Sequence, residues 1–228
     1  YPKDLPSYDE YKDLETYRAI VEKLNPIGPK YNHFYESTFL NGKLYTTGGY
    51  FLSGMNDYNY PGTIQVYDGN DWMIYEDNIS EKTGYPYLDI NCISVDPTDE
   101  THVYAGGRCG LYEFKDGRLL NYYNKDNSPL KPAIDRGKEL GNDYVLVNGI
   151  QFDQAGNLWV LNSQAKGVNM LLLSKDHTWT DYHQNLLDDA EGVTLEGLRS
   201  MFFDSRGLLW FNRRSEERRV GKERRSRW

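Results

Sequence analysis

Four histidines, two cysteines and one short acidic run are the residues through which this chain could ligate a metal or move protons. His33, His102, His177 and His183 show no HExxH or paired spacing, and none has a placed Cys, Ser or carboxylate partner. Asp176 with His177 and Asp181 with His183 read as solvated turn residues. Cys92 and Cys109 fit neither a disulfide scaffold nor a CxxC metal knuckle; they read as two free or singly bridged thiols. Asp68-Gly69-Asn70-Asp71 opens like a calcium loop but lacks the later ligands and the closing Glu, so a hairpin turn is the simpler reading. Ser94 and Ser200 lie outside any nucleophile-elbow context. The sequence therefore assigns no catalytic residue, no metal ligand and no cofactor.

The elements that would position such residues follow from composition and pattern. In 228 residues, aromatics make up 14%, with 20 Tyr and 5 Trp, a mix that suits pleated, half-buried strands better than helices. No apolar run approaches the roughly 20 residues needed to cross a bilayer as a helix. The net charge of -8 argues against a nucleic-acid phosphate binder, which carries a basic stripe. The basic residues that do cluster lie at 214–228, seven against three acidic. That segment resembles the translation of a common sequencing-library adapter, departing only at Arg224, where the adapter reading has Cys. Residues 214–228 are therefore expected to be a non-native tail, and the genuine reading frame to be cut after Arg213. Without the tail there are 19 basic and 31 acidic residues, net −12.

A period of about 50 residues organises the rest. Asn148 to Asp153, a turn, and Leu158-Trp159-Val160-Leu161 are echoed by Leu198 to Asp204, a turn, and Leu208-Leu209-Trp210-Phe211. An earlier copy runs Ile90 to Asp96, then His102 to Gly107, and a weaker one Tyr35 to Leu40, then Lys43 to Gly49. The Asp landmarks 96, 153 and 204 stand 57 and 51 residues apart. Each of the first three copies continues with two further alternating runs joined by a tight turn, such as Gly110 to Phe114 and Leu119 to Tyr123 around Asp116-Gly117. Four strands per unit cannot bury both faces alone, and radial stacking solves this while protecting sheet edges. The expected fold is all-β, a partial β-propeller of about three and a half four-stranded blades, at about 31–80, 88–130, 145–185 and 198–213, incomplete at both ends. Residues 1–30 are expected to be a linker or the end of a preceding element, with the one helical pattern at Tyr8 to Leu24. A piece with open blade faces should melt broadly.

Ile150 to Asp153 with Gly156 to Val160, and Met201 to Asp204 with Gly207 to Trp210, resemble the two-component regulator propeller repeats of bacterial surface and periplasmic proteins. Asn25 to Asn32 leading into Phe39 to Tyr45, and Ile64 to Gly69 followed by Trp72, look closer to the propeller region of the Z component of the Por (type IX) secretion system. The second copy departs from the pattern, having no Trp, and Leu161-Asn162 replaces the usual Gly-Thr in the third. The resemblance implies a non-catalytic binding or scaffold module of a bacterial cell-envelope protein, in periplasm or at the surface, with an envelope protein or surface glycan as partner. It also admits the ligand-sensing propeller of a hybrid two-component histidine kinase, and, with a site in blades not in view, a propeller enzyme.

Two sets of positions could contact a ligand. Tyr45, Tyr104, Trp159 and Trp210 recur at equivalent strand positions, where packing between blades is a simpler role than sugar stacking. In a four-stranded blade the connection between the second and third strands emerges on the same face as the link to the next blade. That face would gather 50–61, Arg108-Cys109, 163–166 and the links 76–87, 124–144 and 184–197. Its aromatic and amide residues mark the expected binding positions as Tyr50, Phe51, Asn56, Tyr58, Tyr60 and Arg108.

Overall fold

The computed structural model describes residues 28–49, 59–195 and 198–213. The helical pattern at Tyr8 to Leu24, the tail at 214–228, and Tyr50, Phe51, Asn56 and Tyr58 all lie outside the described residues.

Sixteen strands are described, and all the paired neighbours run antiparallel. The first blade is β1 (Ser37–Leu40), β2 (Lys43–Thr47), β3 (Ile64–Tyr67) and β4 (Trp72–Ile74), hydrogen-bonded in that order. The second is β5 (Ile90–Asp96), β6 (Asp99–Gly107), β7 (Gly110–Lys115) and β8 (Arg118–Tyr123). In the link to the third blade lies a small hairpin, β9 (Ile134–Asp135) with β10 (Lys138–Glu139). The third blade is β11 (Val147–Phe152), β12 (Leu158–Asn162), β13 (Met170–Leu173) and β14 (Trp179–Asp181). Two strands of a fourth unit follow, β15 (Leu198–Phe203) and β16 (Leu209–Arg213). The described residues thus form a partial β-propeller. Its one described α-helix, α1 (Ile79–Thr83), sits in the first link and stops at Gly84, whose φ of +73° is open to glycine at little cost. Neither α1 nor the β9–β10 hairpin carries a sequence signal strong enough to predict it.

The turns follow the residues that favour them. Asn41-Gly42 and Asp116-Gly117 both adopt positive φ at their two positions, the geometry whose twist matches that of the flanking strands. At Asp68, the carboxylate accepts the backbone N–H groups of Asn70 and Asp71, each at 2.9 Å, so the acidic run is a turn capped by its own side chain.

Apolar clusters span pairs of blades rather than single sheets. Tyr45, Ile64, Val66, Ile93, Val103, Tyr112 and Phe114 join the first blade to the second. Tyr104, Tyr123, Ile150, Phe152, Val160 and Leu171 join the second to the third. Leu161, Met170, Leu198 and Met201 join the third to the fourth. Full burial of one such side chain is worth about 1.5–3 kcal/mol, so the interfaces carry most of the stabilisation. The recurrent aromatics take part unequally. Tyr45 is buried with its hydroxyl donating to the Glu100 carbonyl at 2.9 Å, and Tyr104 meets Phe152 edge-on at 5.8 Å between centroids. Trp159 faces Phe203 at 6.4 Å, whereas Trp210 is 48% exposed.

Candidate binding face and the central cavity

Hydrogen bonds stitch the loops of one face together. The β2–β3 connection lies along the link that follows its own blade: Gly62 N–H donates to the Tyr87 carbonyl at 2.8 Å, and Asp89 N–H to the Tyr60 carbonyl at 2.9 Å. In the next blade Cys109 bridges to Val145. In the third, Ala165 bridges to Ala133 and accepts from Thr194 N–H at 2.8 Å, while Lys166 bridges to Val193. The described parts of the loops grouped by strand direction therefore do share one face.

Two of the six residues marked by the sequence, Tyr60 and Arg108, lie within the described part of that face, and both make contacts within the protein there. Arg108 is only 8% exposed. Its Nη1 donates to Asn59 Oδ1 at 2.7 Å, approaches the Asp89 carboxylate at 3.6 Å, and its guanidinium lies 5.1 Å from the centre of the Tyr144 ring. It ties three loops together and is not presented to solvent. Tyr60 donates its backbone N–H to Asp89 Oδ1 at 3.0 Å and stacks on His33, the rings 5.1 Å apart and 18° from parallel. Burial pushes the Cys109 thiol up to about 11, and Cys92 is raised as well, so both thiols are poor nucleophiles at neutral pH.

A concavity that sequence reasoning missed lies at the opposite end of the first strands. A cavity of about 490 Å³ is lined by Thr38, Phe39 and Leu40 of β1, Ile93 to Val95 of β5, Gln151 and Phe152 of β11, and Phe203 of β15. These residues end the first strand of each unit, just before the turn at Asn41 or at the Asp landmarks, so the only sequence signal was their shared place in the repeat. Higher in the same bundle of first strands, Asn91 Nδ2 donates to Asn148 Oδ1 at 3.0 Å, and Arg199 Nη1 donates to the Tyr35 hydroxyl at 3.1 Å. Nearby, burial raises the Glu36 carboxyl to about 7 despite the Ile93 N–H it accepts.

The landmarks themselves have a common task. Asp153 accepts the backbone N–H of Asn157 at 2.8 Å and the indole Nε1–H of Trp159 at 3.2 Å. Asp204 accepts the N–H of Leu208 at 3.0 Å and Nε1–H of Trp210 at 3.1 Å. Asp96 accepts the N–H of Thr98 at 2.8 Å, and its second oxygen faces His102 Nδ1 at 3.2 Å. The ring nitrogen in each case belongs to the residue six positions after the Asp. In the blade that lacks Trp, His102 makes the bond an indole makes elsewhere, although Tyr104 is the residue in strand register with Trp159.

The histidines are therefore not partnerless, which corrects the expectation from sequence spacing. His102 Nε2 also meets Glu113 Oε1 at 2.9 Å, and His183 Nε2 meets Asp188 Oδ2 at 2.9 Å. The partners come from neighbouring strands and loops, beyond the reach of a local motif. His177 Nδ1 lies 2.7 Å from the Tyr123 hydroxyl, so it too is more than a solvated turn residue. Among the described residues, no three His, Cys, Asp or Glu side chains gather as metal ligands would.

No protein-family model matches the chain, and no curated protein matches it. Among solved structures it is similar to PorZ of Porphyromonas gingivalis, described as an essential bacterial surface component of the type-IX secretion system. The identity is 27% and the TM-score 0.68, over 83% of this chain and 24% of PorZ. It is also similar to the extracellular domain of a one-component system of B. thetaiotaomicron, at 17% identity and TM-score 0.51, over 80% of this chain and 22% of that one. A luciferin-regenerating enzyme is more distant, at 15% identity and TM-score 0.44. The chain thus spans less than a quarter of the length of the first two. It has the blade stack of a propeller resembling that of PorZ and, in fold alone, that of the extracellular domain.

Proposed function

We propose that this chain is a non-catalytic β-propeller module of a bacterial cell-envelope protein, PorZ-like in role, which binds a partner protein or a surface glycan outside the cytoplasm. The observation that carries this reading is the similarity to PorZ over 83% of this chain, in identity and in TM-score together. The physical setting supports it. The loop face is built from connections pinned by Arg108, Asp89 and backbone bonds, which gives adaptable side chains a rigid base. The net charge disfavours nucleic acid, and no described helix is long and apolar enough to cross a membrane. The test is an affinity capture of the full-length protein from cross-linked envelope extract, run beside a binding assay on isolated surface polysaccharide. Recovery of neither a reproducible envelope partner nor polysaccharide would sink the proposal.

The second reading, the extracytoplasmic sensing propeller of a hybrid two-component histidine kinase, is drawn from the repeat motifs at 150–160 and 201–210; the extracellular domain of the one-component system shares the fold alone. A membrane-spanning helix followed by histidine-kinase motifs in the same reading frame would decide for it.

A further inference from the structure

We propose that His102 is a proton-dependent latch between the second and third blades: its doubly protonated ring ties Asp96 to Glu113, and the joint loosens when that ring loses a proton. The argument is one of donor and acceptor counting. Asp96 Oδ2 lies 3.2 Å from Nδ1 and Glu113 Oε1 lies 2.9 Å from Nε2. Ionised carboxylates only accept, so both ring nitrogens must donate, and only the imidazolium has two N–H groups. Glu113 is the deeper anchor, its side chain 1% exposed. Its other oxygen accepts Asn121 Nδ2–H at 2.8 Å and the Tyr123 hydroxyl at 2.9 Å. Because that hydroxyl gives its one proton to Glu113, it accepts from His177 Nδ1–H at 2.7 Å, and His177 belongs to the β13–β14 turn of the next blade. The chain of bonds thus runs from β5 through β6, β7 and β8 into the third blade, with the Phe152 ring of β11 packed 6.3 Å from the His102 ring.

Burial alone would raise the Glu113 carboxyl, but hydrogen bonds from His102, Asn121, Tyr104 and Tyr123 outweigh it and bring it down to about 2. Asp96 is likewise lowered, its burial outweighed by bonds from Thr98 and His102. Tyr104 and Tyr123 are raised by burial, and Lys115 is raised by its bond to Asp99. The bond to Glu113, followed by that to Asp96, raises His102. The sign follows. A group whose folded-state affinity for a proton is raised stabilises the fold below its unfolded pKa, and that contribution fades as pH climbs through its folded value. The Asp96 and Glu113 carboxyls, held low, have finished titrating by then, and the Tyr104 and Tyr123 hydroxyls, held high by burial, have not begun, so His102 is the group whose charge the proposal turns on. Blades three and four make the corresponding bond with indole N–H, which does not titrate, so the effect is confined to one joint.

The experiment is histidine-selective NMR on the full chain, with His102 assigned by removing His33, His177 and His183 one at a time, alongside hydrogen exchange at pH 7 and 9 corrected for the intrinsic base-catalysed rate. The His102 midpoint is expected above that of a free imidazole, and Glu113→Gln should lower its proton affinity at least tenfold. Amides of β7, β8 and 174–178 should exchange at least tenfold faster at pH 9 than at pH 7, and His102→Gln should remove that difference. A His102 midpoint at or below the free value overturns the proposal, as do identical corrected exchange profiles in the parent and His102→Gln. The midpoint needs only the variants at His33, His177 and His183, so the test survives a poorly folding His102→Gln.

Discussion

Replacing Asp153 by Ala removes three bonds at once: to the Asn157 backbone N–H, to Asn157 Nδ2 at 3.0 Å and to Trp159 Nε1. Bonds to a charged acceptor are worth about 1.5–3 kcal/mol each when well shielded, and solvent at this half-buried turn reduces that to roughly 1 kcal/mol apiece. The expected loss is therefore about 3 kcal/mol for Asp153→Ala. It should be roughly half that for Asp153→Asn, whose carbonyl can still cap the turn while its amide faces the indole donor. In a protein of this size 3 kcal/mol corresponds to roughly 6–12 °C in Tm. Equilibrium urea unfolding followed by circular dichroism and Trp emission measures it, with Trp159→Phe completing a double-mutant cycle. Burial works against ionisation of Asp153, but bonds from Asn157 and Trp159 prevail and lower its pKa. Its contribution is thus present above the ordinary carboxylate range and lost as pH falls through the folded value, so parent and Asp153→Ala should converge in acid. A loss below about 0.5 kcal/mol, no coupling to Trp159, or a gap unchanged by acid would refute the reasoning.

Other outcomes follow from the same geometry. Asp204→Ala should cost less than Asp153→Ala in the same urea series, because Trp210 is 48% exposed. At Gly49, a Cβ would fall 2.1 Å from the Ile90 carbonyl oxygen and 2.5 Å from its nitrogen, so Gly49→Ala should lower thermal stability by more than about 2 kcal/mol. Arg108→Lys keeps the charge but not the flat cation over Tyr144, and should cost about 1–2 kcal/mol while speeding exchange of the 59–62 and 87–89 amides. Arg199→Ala removes one partly solvated bond to Tyr35 and should change stability by about 0.5 kcal/mol or less in urea melts.

The parts of the fold legible in the sequence were the local ones. Alternating apolar residues and Asn-Gly or Asp-Gly turns encode hairpins within a few residues, and repetition of the pattern encodes blades. The site was less legible because its contacts are not local. Asp96, Asp153 and Asp204 stood out as landmarks, yet their capping task appears only when each carboxylate is seen against the ring six residues later. Tyr104 holds the strand position of the missing Trp, which concealed that His102 had taken its bond. Glu113 sits in the apolar run Leu111 to Phe114 with no local reason for a charge; part of its hydrogen-bond chain comes from His177, 64 residues downstream. Arg108 looked like a loop residue free to bind, and is covered because Tyr144 arrives from a link that periodicity does not describe.

The spacing of contacts between first strands has a consequence for how the molecule assembles. Asn91 meets Asn148, Cys92 the Val147 carbonyl and Ser94 the Phe152 amide, at separations of 57, 55 and 58 residues, so the joint between the second and third blades closes a loop one blade long. The Arg199–Tyr35 bond closes one of 164, which costs about 0.9 kcal/mol more in chain entropy than a loop of 57. A chain emerging from a ribosome or a translocation pore can therefore complete each joint as soon as its next blade is delivered. Loop-closure entropy thus favours vectorial assembly, each finished blade acting as the template for the one behind it, with the long tie from the fourth unit back to the first expected after the joints between neighbours.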